Sequence, residues 1–169
     1  SLNPGTGSVR FEITGNVTGS SGIIDFENTG NLIETNGRSL TIRGPKLALG
    51  NLSSAADDVA LNGADITLIT ADPANTGNST ISVGEINTIG NEVSGSVNII
   101  GDADVTINGE IQTGDSINGG DVFIDSIGSI TTENIQTVSA GTEGITVLNS
   151  QTGNINTGLL LAGPPNNLD

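Results

Sequence analysis

Four times in its second half the chain repeats one short phrase: an acidic or polar residue, then Ile, then Asn or Gln, then Thr. The copies are Glu85-Ile86-Asn87-Thr88, Glu110-Ile111-Gln112-Thr113, Asn134-Ile135-Gln136-Thr137 and Asn154-Ile155-Asn156-Thr157, with their Ile positions 25, 24 and 20 residues apart. A phrase that returns at such an interval marks a repeat architecture, in which units stack and equivalent residues meet like environments. No other feature constrains the fold as much.

Strand-like segments fill the spaces between the phrases. Ile81-Ser82-Val83, Val97-Asn98-Ile99, Val122-Phe123-Ile124 and Ile145-Thr146-Val147 alternate apolar and polar ahead of each copy. A middle strand is read at Val105-Thr106-Ile107 and again across Ile127-Gly128-Ser129-Ile130. The first half is less regular but similar, with Val9 to Ile13, Ile24-Asp25-Phe26, Leu40-Thr41-Ile42 and Ile66-Thr67-Leu68 alternating and Gly30-Asn31-Leu32-Ile33-Glu34-Thr35 echoing the later phrase. Asn36-Gly37, Asn62-Gly63, Asn108-Gly109 and Asn118-Gly119-Gly120 supply turns.

Antiparallel hairpins would set Asn-Gly in two-residue turns between strands of matched length. A solenoid uses the same residues as corners, and the recurring phrase favours it. The expectation is therefore an all-β, single-stranded parallel β-helix forming one domain over residues 1–169, with about seven coils of roughly 20–25 residues and a body about 35 Å long. Residues 80–158 carry the most regular repeats, and 1–7 and 163–169 read as loop-like ends. Ile, Val and Leu are expected to stack inward as aliphatic ladders while Thr, Asn and Ser tile the outside. Leu159-Leu160-Leu161 reads as a last buried strand, with a sticky edge for a neighbouring subunit as the alternative. Neither end shows an amphipathic capping helix, which suggests a piece of something longer or a subunit that stacks end to end.

Composition agrees with a thin core. Only 34% of the residues are apolar, with three Phe and no Trp, Tyr or Met, too little bulk for a wide globular centre but enough for stacked branched side chains. The net charge is −15, and all four basic residues (Arg10, Arg38, Arg43, Lys46) lie in the first 46 positions beside Glu12, Asp25, Glu27 and Glu34. From Leu47 onward there are fifteen acids and no base. Nucleic acid and anionic membrane surfaces are therefore not expected as partners, since nothing there would displace counterions from phosphates. No stretch has the apolar length of a membrane span, and no signal-peptide pattern is present.

The strand, Gly-x-Ile-x-Thr, glycine-rich corner and next strand resemble the haemagglutinin-like repeats of bacterial exoproteins secreted by the two-partner route, common in cyanobacteria and proteobacteria. The residues that carry the likeness are Gly84 to Thr88, Gly109 to Thr113, Gly119 to Ile124 and Ser129 to Thr137. The resemblance implies a right-handed parallel β-helix, an extracellular or cell-surface site, and a role in adhesion or matrix. The secretion-domain motifs such proteins carry at their N-terminus are not evident, which points to the repeat shaft or to a different filament-forming protein with the same architecture.

Few residues carry chemistry. With neither His nor Cys, no Ser-His pair, thiol nucleophile or His-metal site can be built. Asp57-Asp58 is the nearest approach to a catalytic carboxylate pair and reads more simply as a solvated corner. Calcium is the best-supported ligand, through Asp102, Asp104 and Glu110 and through Asp115, Asp121 and Asp125, because oxygen-rich clusters suit a hard cation. Screened surface acids are the plainer reading. Asn16, Asn51 and Asn78 head N-x-Ser/Thr sequons that are incidental in a bacterial protein. No enzyme activity is expected. The expected function is a structural or adhesive extracellular surface or filament protein that self-associates end to end or forms part of a longer shaft, with a cell-surface or polysaccharide target. A carbohydrate-binding or carbohydrate-cleaving β-helix is the alternative and an ice-binding solenoid the lesser one.

Overall fold

The computed structural model describes residues 32–56, 62–70 and 79–162, together with the backbone of 9–12 and 23–26. The described chain is built of strands, three to a coil. The first coil holds β1 (Val9–Glu12), β2 (Ile23–Phe26) and β3 (Leu32–Glu34), and the second β4 (Leu40–Gly44), β5 (Lys46–Leu49) and β6 (Asn51–Ser53). The third holds β7 (Ile66–Thr70), β8 (Ile81–Val83) and β9 (Ile86–Asn87), and the fourth β10 (Val97–Gly101), β11 (Val105–Ile107) and β12 (Ile111–Gln112). The fifth holds β13 (Val122–Ser126), β14 (Ile130–Thr132) and β15 (Ile135–Gln136), and the sixth β16 (Thr146–Ser150), β17 (Ile155–Thr157) and β18 (Leu160–Leu161).

Every pairing between coils is parallel. The strands assemble into three six-stranded sheets: β1-β4-β7-β10-β13-β16, β2-β5-β8-β11-β14-β17 and β3-β6-β9-β12-β15-β18. This is the parallel β-solenoid expected from the repeat. It has six rungs among the described residues rather than about seven, because the coils are longer than expected. Val9, Leu40, Ile66, Val97, Val122 and Thr146 share one column and stand 31, 26, 31, 25 and 24 residues apart.

Inside, each sheet contributes aliphatic columns. Ile42, Leu68, Ile99 and Ile124 stack in the first, Leu47, Ile81, Val105 and Ile130 in the second, and Leu52, Ile86, Ile111 and Ile135 in the third, all of them buried. They form one continuous cluster. Burying each such side chain contributes about 1.5–3 kcal/mol, so a core one side chain deep is still substantial when it runs the length of the rod.

Three register expectations are corrected. Asn154-Ile155-Asn156-Thr157 is not the fourth copy of the third-sheet phrase: Ile155 pairs with Ile130 in the second sheet, and Leu160 stands over Ile135. Leu160 continues the third-sheet column at a 25-residue interval, in step with the 25 and 24 residues that separate Ile86, Ile111 and Ile135. Ile81-Ser82-Val83 likewise belongs with Val105-Thr106-Ile107 in the second sheet, not with Val97. At the last coil Thr146, not Ile145, stands over Val122, which places Leu148 on Ile124 and leaves Ile145 and Val147 exposed. A one-residue slip exchanges the two faces of a strand. The middle strand of the fifth coil starts at Ile130, and Ile127 is an exposed corner residue whose N–H donates to the Gly101 carbonyl at 3.0 Å.

The Thr of the phrase also faces the other way from the expectation. Thr35, Thr88, Thr113 and Thr137 are fully buried, with Ser54 in the same place of the second coil. Thr88 Oγ1 donates to the Gly95 carbonyl and Thr113 Oγ1 to the Gly120 carbonyl, each at 2.6 Å, while Gly95 N and Gly120 N donate back to the Thr88 and Thr113 carbonyls. Ser54 Oγ makes the equivalent bond to the Ala64 carbonyl. Ile111 and Thr113 lie two apart and so share the inward face. The hydroxyl is tolerated there because the turning chain supplies an acceptor.

Gly120 follows from the same corner. A Cβ at this position would overlap the Gly95 carbonyl one coil below, so the stack has no room for a side chain. Asn36 and Gly37 turn the chain with φ of 47° and 70°, the left-handed conformation that Asn and Gly adopt most readily.

Candidate functional surface

The polar residue that opens each strand links one coil to the next. At the entrance to the first sheet, Asp65 Oδ1 accepts from Ser96 N at 2.8 Å, Ser96 Oγ from Asp121 N at 3.1 Å, and Asp121 Oδ1 from Ile145 N at 2.8 Å. At the second sheet Asp104 Oδ1 accepts from Ser129 N at 2.7 Å and Ser129 Oγ from Asn154 N at 3.3 Å. At the third, Asn51 Oδ1 accepts from Glu85 N and Asn134 Oδ1 from Leu159 N, both at 3.0 Å. Each corner thus carries a staircase of side-chain acceptors that take up backbone N–H groups the ladder leaves over. A short acidic or amide side chain suits this, because its oxygen reaches one rung along the stack.

The acids considered for calcium are distributed among these corners. Asp102 and Asp104 lie between β10 and β11, Glu110 between β11 and β12, Asp115 beyond β12 with φ of 57°, and Asp121 ahead of β13. Asp125 lies within β13 and accepts from Asn149 Nδ2 at 2.9 Å, and Glu110 Oε2 accepts from Gln112 Nε2 at 2.8 Å. Among the described residues no three acids come together in a group that could hold a metal ion. Asp57 and Asp58 lie outside the described residues, as do Asn16 and Asn78; Asn51 is used in the third staircase.

A shallow dent of about 250 Å³ on the third sheet is lined by Leu32, Asn51, Leu52, Ser53, Glu85 and Asn87, with Glu85 as its carboxylate. Outward polar positions do not form a uniform hydroxyl array: Ser82, Thr106 and Thr131 stack on the second sheet, but Thr67, Asn98, Phe123 and Val147 follow one another on the first.

Among the described residues the exposed apolar side chains are concentrated in the last coil. Of the twelve large exposed apolar side chains among the described residues, six (Ile145, Val147, Ile155, Leu159, Leu160 and Leu161) belong to the last coil. Leu160-Leu161 is a strand, as expected, but an exposed edge strand rather than a buried one. Ile145 and Leu159 occupy staircase positions filled by Asp121 and Asn134 one coil earlier, so the polar links of the first and third corners stop there. Sequence pattern did not single out this coil because Ile145, Val147 and Ile155 look like ordinary inward residues until the register is known.

No family model, curated protein or solved structure matches the chain.

Proposed function

We propose that the chain is a structural or adhesive element of an extracellular bacterial surface or filament protein, similar in kind to the shaft repeats of two-partner-secreted exoproteins. One observation carries this reading. Its corner acids, amides and hydroxyls hold coil to coil through the staircases Asp65-Ser96-Asp121 and Asp104-Ser129, instead of converging on a cleft. A polypeptide organised this way maintains length and direction, which is the work of a shaft. The −15 charge keeps the rod soluble and disfavours contact with nucleic acid or anionic lipid. Calcium, where it acts at all, acts as a diffuse counterion to those acids.

The test is localisation and loss of function in the producing bacterium. Immunogold labelling is expected to decorate the cell exterior, and deletion of the coding segment is expected to reduce attachment or filament formation without affecting growth. Labelling confined to the cell interior overturns the reading. So does turnover of an acidic polysaccharide by the purified protein that is lost on changing Asp57 and Asp58 to Asn.

A further inference from the structure

We infer that the outward face of the first sheet is an interface for a second copy of this chain, packed face to face with its rod axis reversed, about a two-fold axis that runs along the strands between β7 and β10. The face belongs to β4, β7, β10 and β13, each hydrogen-bonded to a neighbour on both sides, so it is a lateral surface within the stack. Side chains alternate along these strands and leave two columns outward. The one that carries charge runs Arg43, Ile69, Ile100, Asp125. Beside it run Thr41, Thr67, Asn98 and Phe123. Ile100 and Phe123 are 37% and 40% exposed, and Ile69 is half-buried. In the third to fifth coils the other two sheets turn polar columns outward, Ser82-Thr106-Thr131 on the second and Asn87-Gln112-Gln136 on the third. Apolar side chains gathered on one lateral face, where the other two are polar, mark a contact surface.

The order of the charged column identifies the occupant. Along the rod it reads cation, apolar, apolar, anion, each about 4.8 Å from the next. A two-fold axis along the strands keeps that column facing itself and reverses the order of the rungs. Centred between β7 and β10, it sets Ile69 against Ile100 of the second copy and Arg43 against its Asp125. The same contacts recur in reverse, so both ion pairs and both apolar pairs form together, as an isologous interface requires. Asp125 Oδ1 accepts from Asn149 Nδ2 at 2.9 Å, and the second carboxylate oxygen is left to receive a guanidinium. In the other column Thr67 meets Asn98, hydroxyl against amide, and Phe123 covers Thr41. A two-fold axis along the rod would instead turn one column onto the other. Ile69 and Ile100 would then face Thr67 and Asn98, and Arg43 would face Thr41. Charge complementarity therefore selects antiparallel rods.

The size of the face sets the strength. Four rungs of five residues cover about 19 Å by 17 Å, roughly 300 Å² per copy, against roughly 800 Å² per partner in a standard stable interface. The net charge of −15 on each chain opposes the approach further. Pairing of two chains is therefore weak. Contacts of this strength act between rods held side by side at high local concentration. The inference goes beyond the shaft reading above and does not rest on it.

Sedimentation equilibrium of the full chain at fixed ionic strength, up to about 1 mM protein, tests the interface. A monomer–dimer equilibrium is expected. Arg43→Glu and Asp125→Arg are each expected to weaken it at least roughly tenfold, since each sets like charges against one another twice. Asp125→Arg also lowers the net negative charge, so general repulsion alone predicts the opposite sign. The mixture decides the register: a chain with Arg43→Glu and a chain with Asp125→Arg present opposite charges at both contacts. An equimolar mixture is therefore expected to dimerise about as well as the parent, while neither variant does so alone. Ile100→Asp is expected to abolish the dimer, and Thr131→Asp, which adds the same charge at an exposed position of the second sheet, to leave it intact. Circular dichroism separates misfolding from lost pairing, and the Ile100 and Thr131 comparison decides the matter where a charge variant fails to fold. Monomer throughout, single charge variants that pair like the parent, a mixture no better than its components, or equal losses from Ile100→Asp and Thr131→Asp overturns the interface. Each of those results leaves the extracellular shaft reading standing. A chain that pairs as expected but is confined to the cell interior does the reverse.

Discussion

Thr113 and Gly120 are joined by two reciprocal hydrogen bonds across one corner of the fourth coil: Thr113 Oγ1 donates to the Gly120 carbonyl at 2.6 Å, and Gly120 N donates to the Thr113 carbonyl at 2.8 Å. The arrangement closes the loop between the third sheet and the next entry into the first, inside the stack. Replacing Thr113 with Val keeps the shape and removes the donor, which strands a buried carbonyl and is expected to cost about 1–3 kcal/mol in urea unfolding. Thr113→Ser retains the hydroxyl and is expected to recover most of that loss.

Thr132 provides the opposite case. Its hydroxyl is buried and has no hydrogen-bond partner. The same Thr→Val change at 132 is therefore expected to be neutral or stabilising, because it removes a desolvated polar group instead of a bond. Urea midpoints of the two Val variants, measured side by side, check the pair: Thr113→Val falls while Thr132→Val holds or rises.

Gly120→Ala is expected to be more damaging than Thr113→Val. The added Cβ would meet the Gly95 carbonyl, which belongs to the backbone of the coil beneath and cannot swing away. A loss above about 3 kcal/mol, or failure to fold, is the expected outcome, read by circular dichroism and thermal melting.

Ile111 and Ile100 separate core from surface within a single coil. Ile111 is fully buried between Ile86 and Ile135, whereas Ile100 is 37% exposed on the outward face of β10. Ile111→Ala is expected to lose about 2–5 kcal/mol and Ile100→Ala no more than about 1 kcal/mol.

Asp121 tests whether the corner acids serve the stack or a metal. Asp121→Ala removes the acceptor for Ile145 N, whereas Asp121→Asn keeps an oxygen in that place. Hydrogen exchange at the Ile145 amide is expected to quicken in the Ala variant and to stay slow in the Asn variant. With a net charge of −15, added salt is expected to raise the melting temperature by screening repulsion. Sodium and calcium chloride at equal ionic strength are expected to raise it alike, as no three described acids converge.

The sequence by itself determined that the chain is a parallel solenoid with a thin aliphatic core. Parity also placed Ile111 and Thr113 on one face, so the inward Thr was legible in the phrase, although surface tiling is the more obvious reading of a hydroxyl. Two things came only from the tertiary structure. The first is which strand stacks on which: Asn154-Ile155-Asn156-Thr157 fits the pattern of the third-sheet phrase at all four positions yet lies in the second sheet. Local pattern fixes alternation, but the path around three sides fixes register, and that path is a property of the whole rung. The second is the role of the corner acids. Spacing along the chain suggested clusters, whereas the fold distributes Asp104, Glu110 and Asp121 to three different corners and gives the side-chain oxygens of Asp104 and Asp121 N–H groups from the coil above. Stacking brings together residues about 24 or 25 apart, so neighbours in sequence separate while distant ones meet.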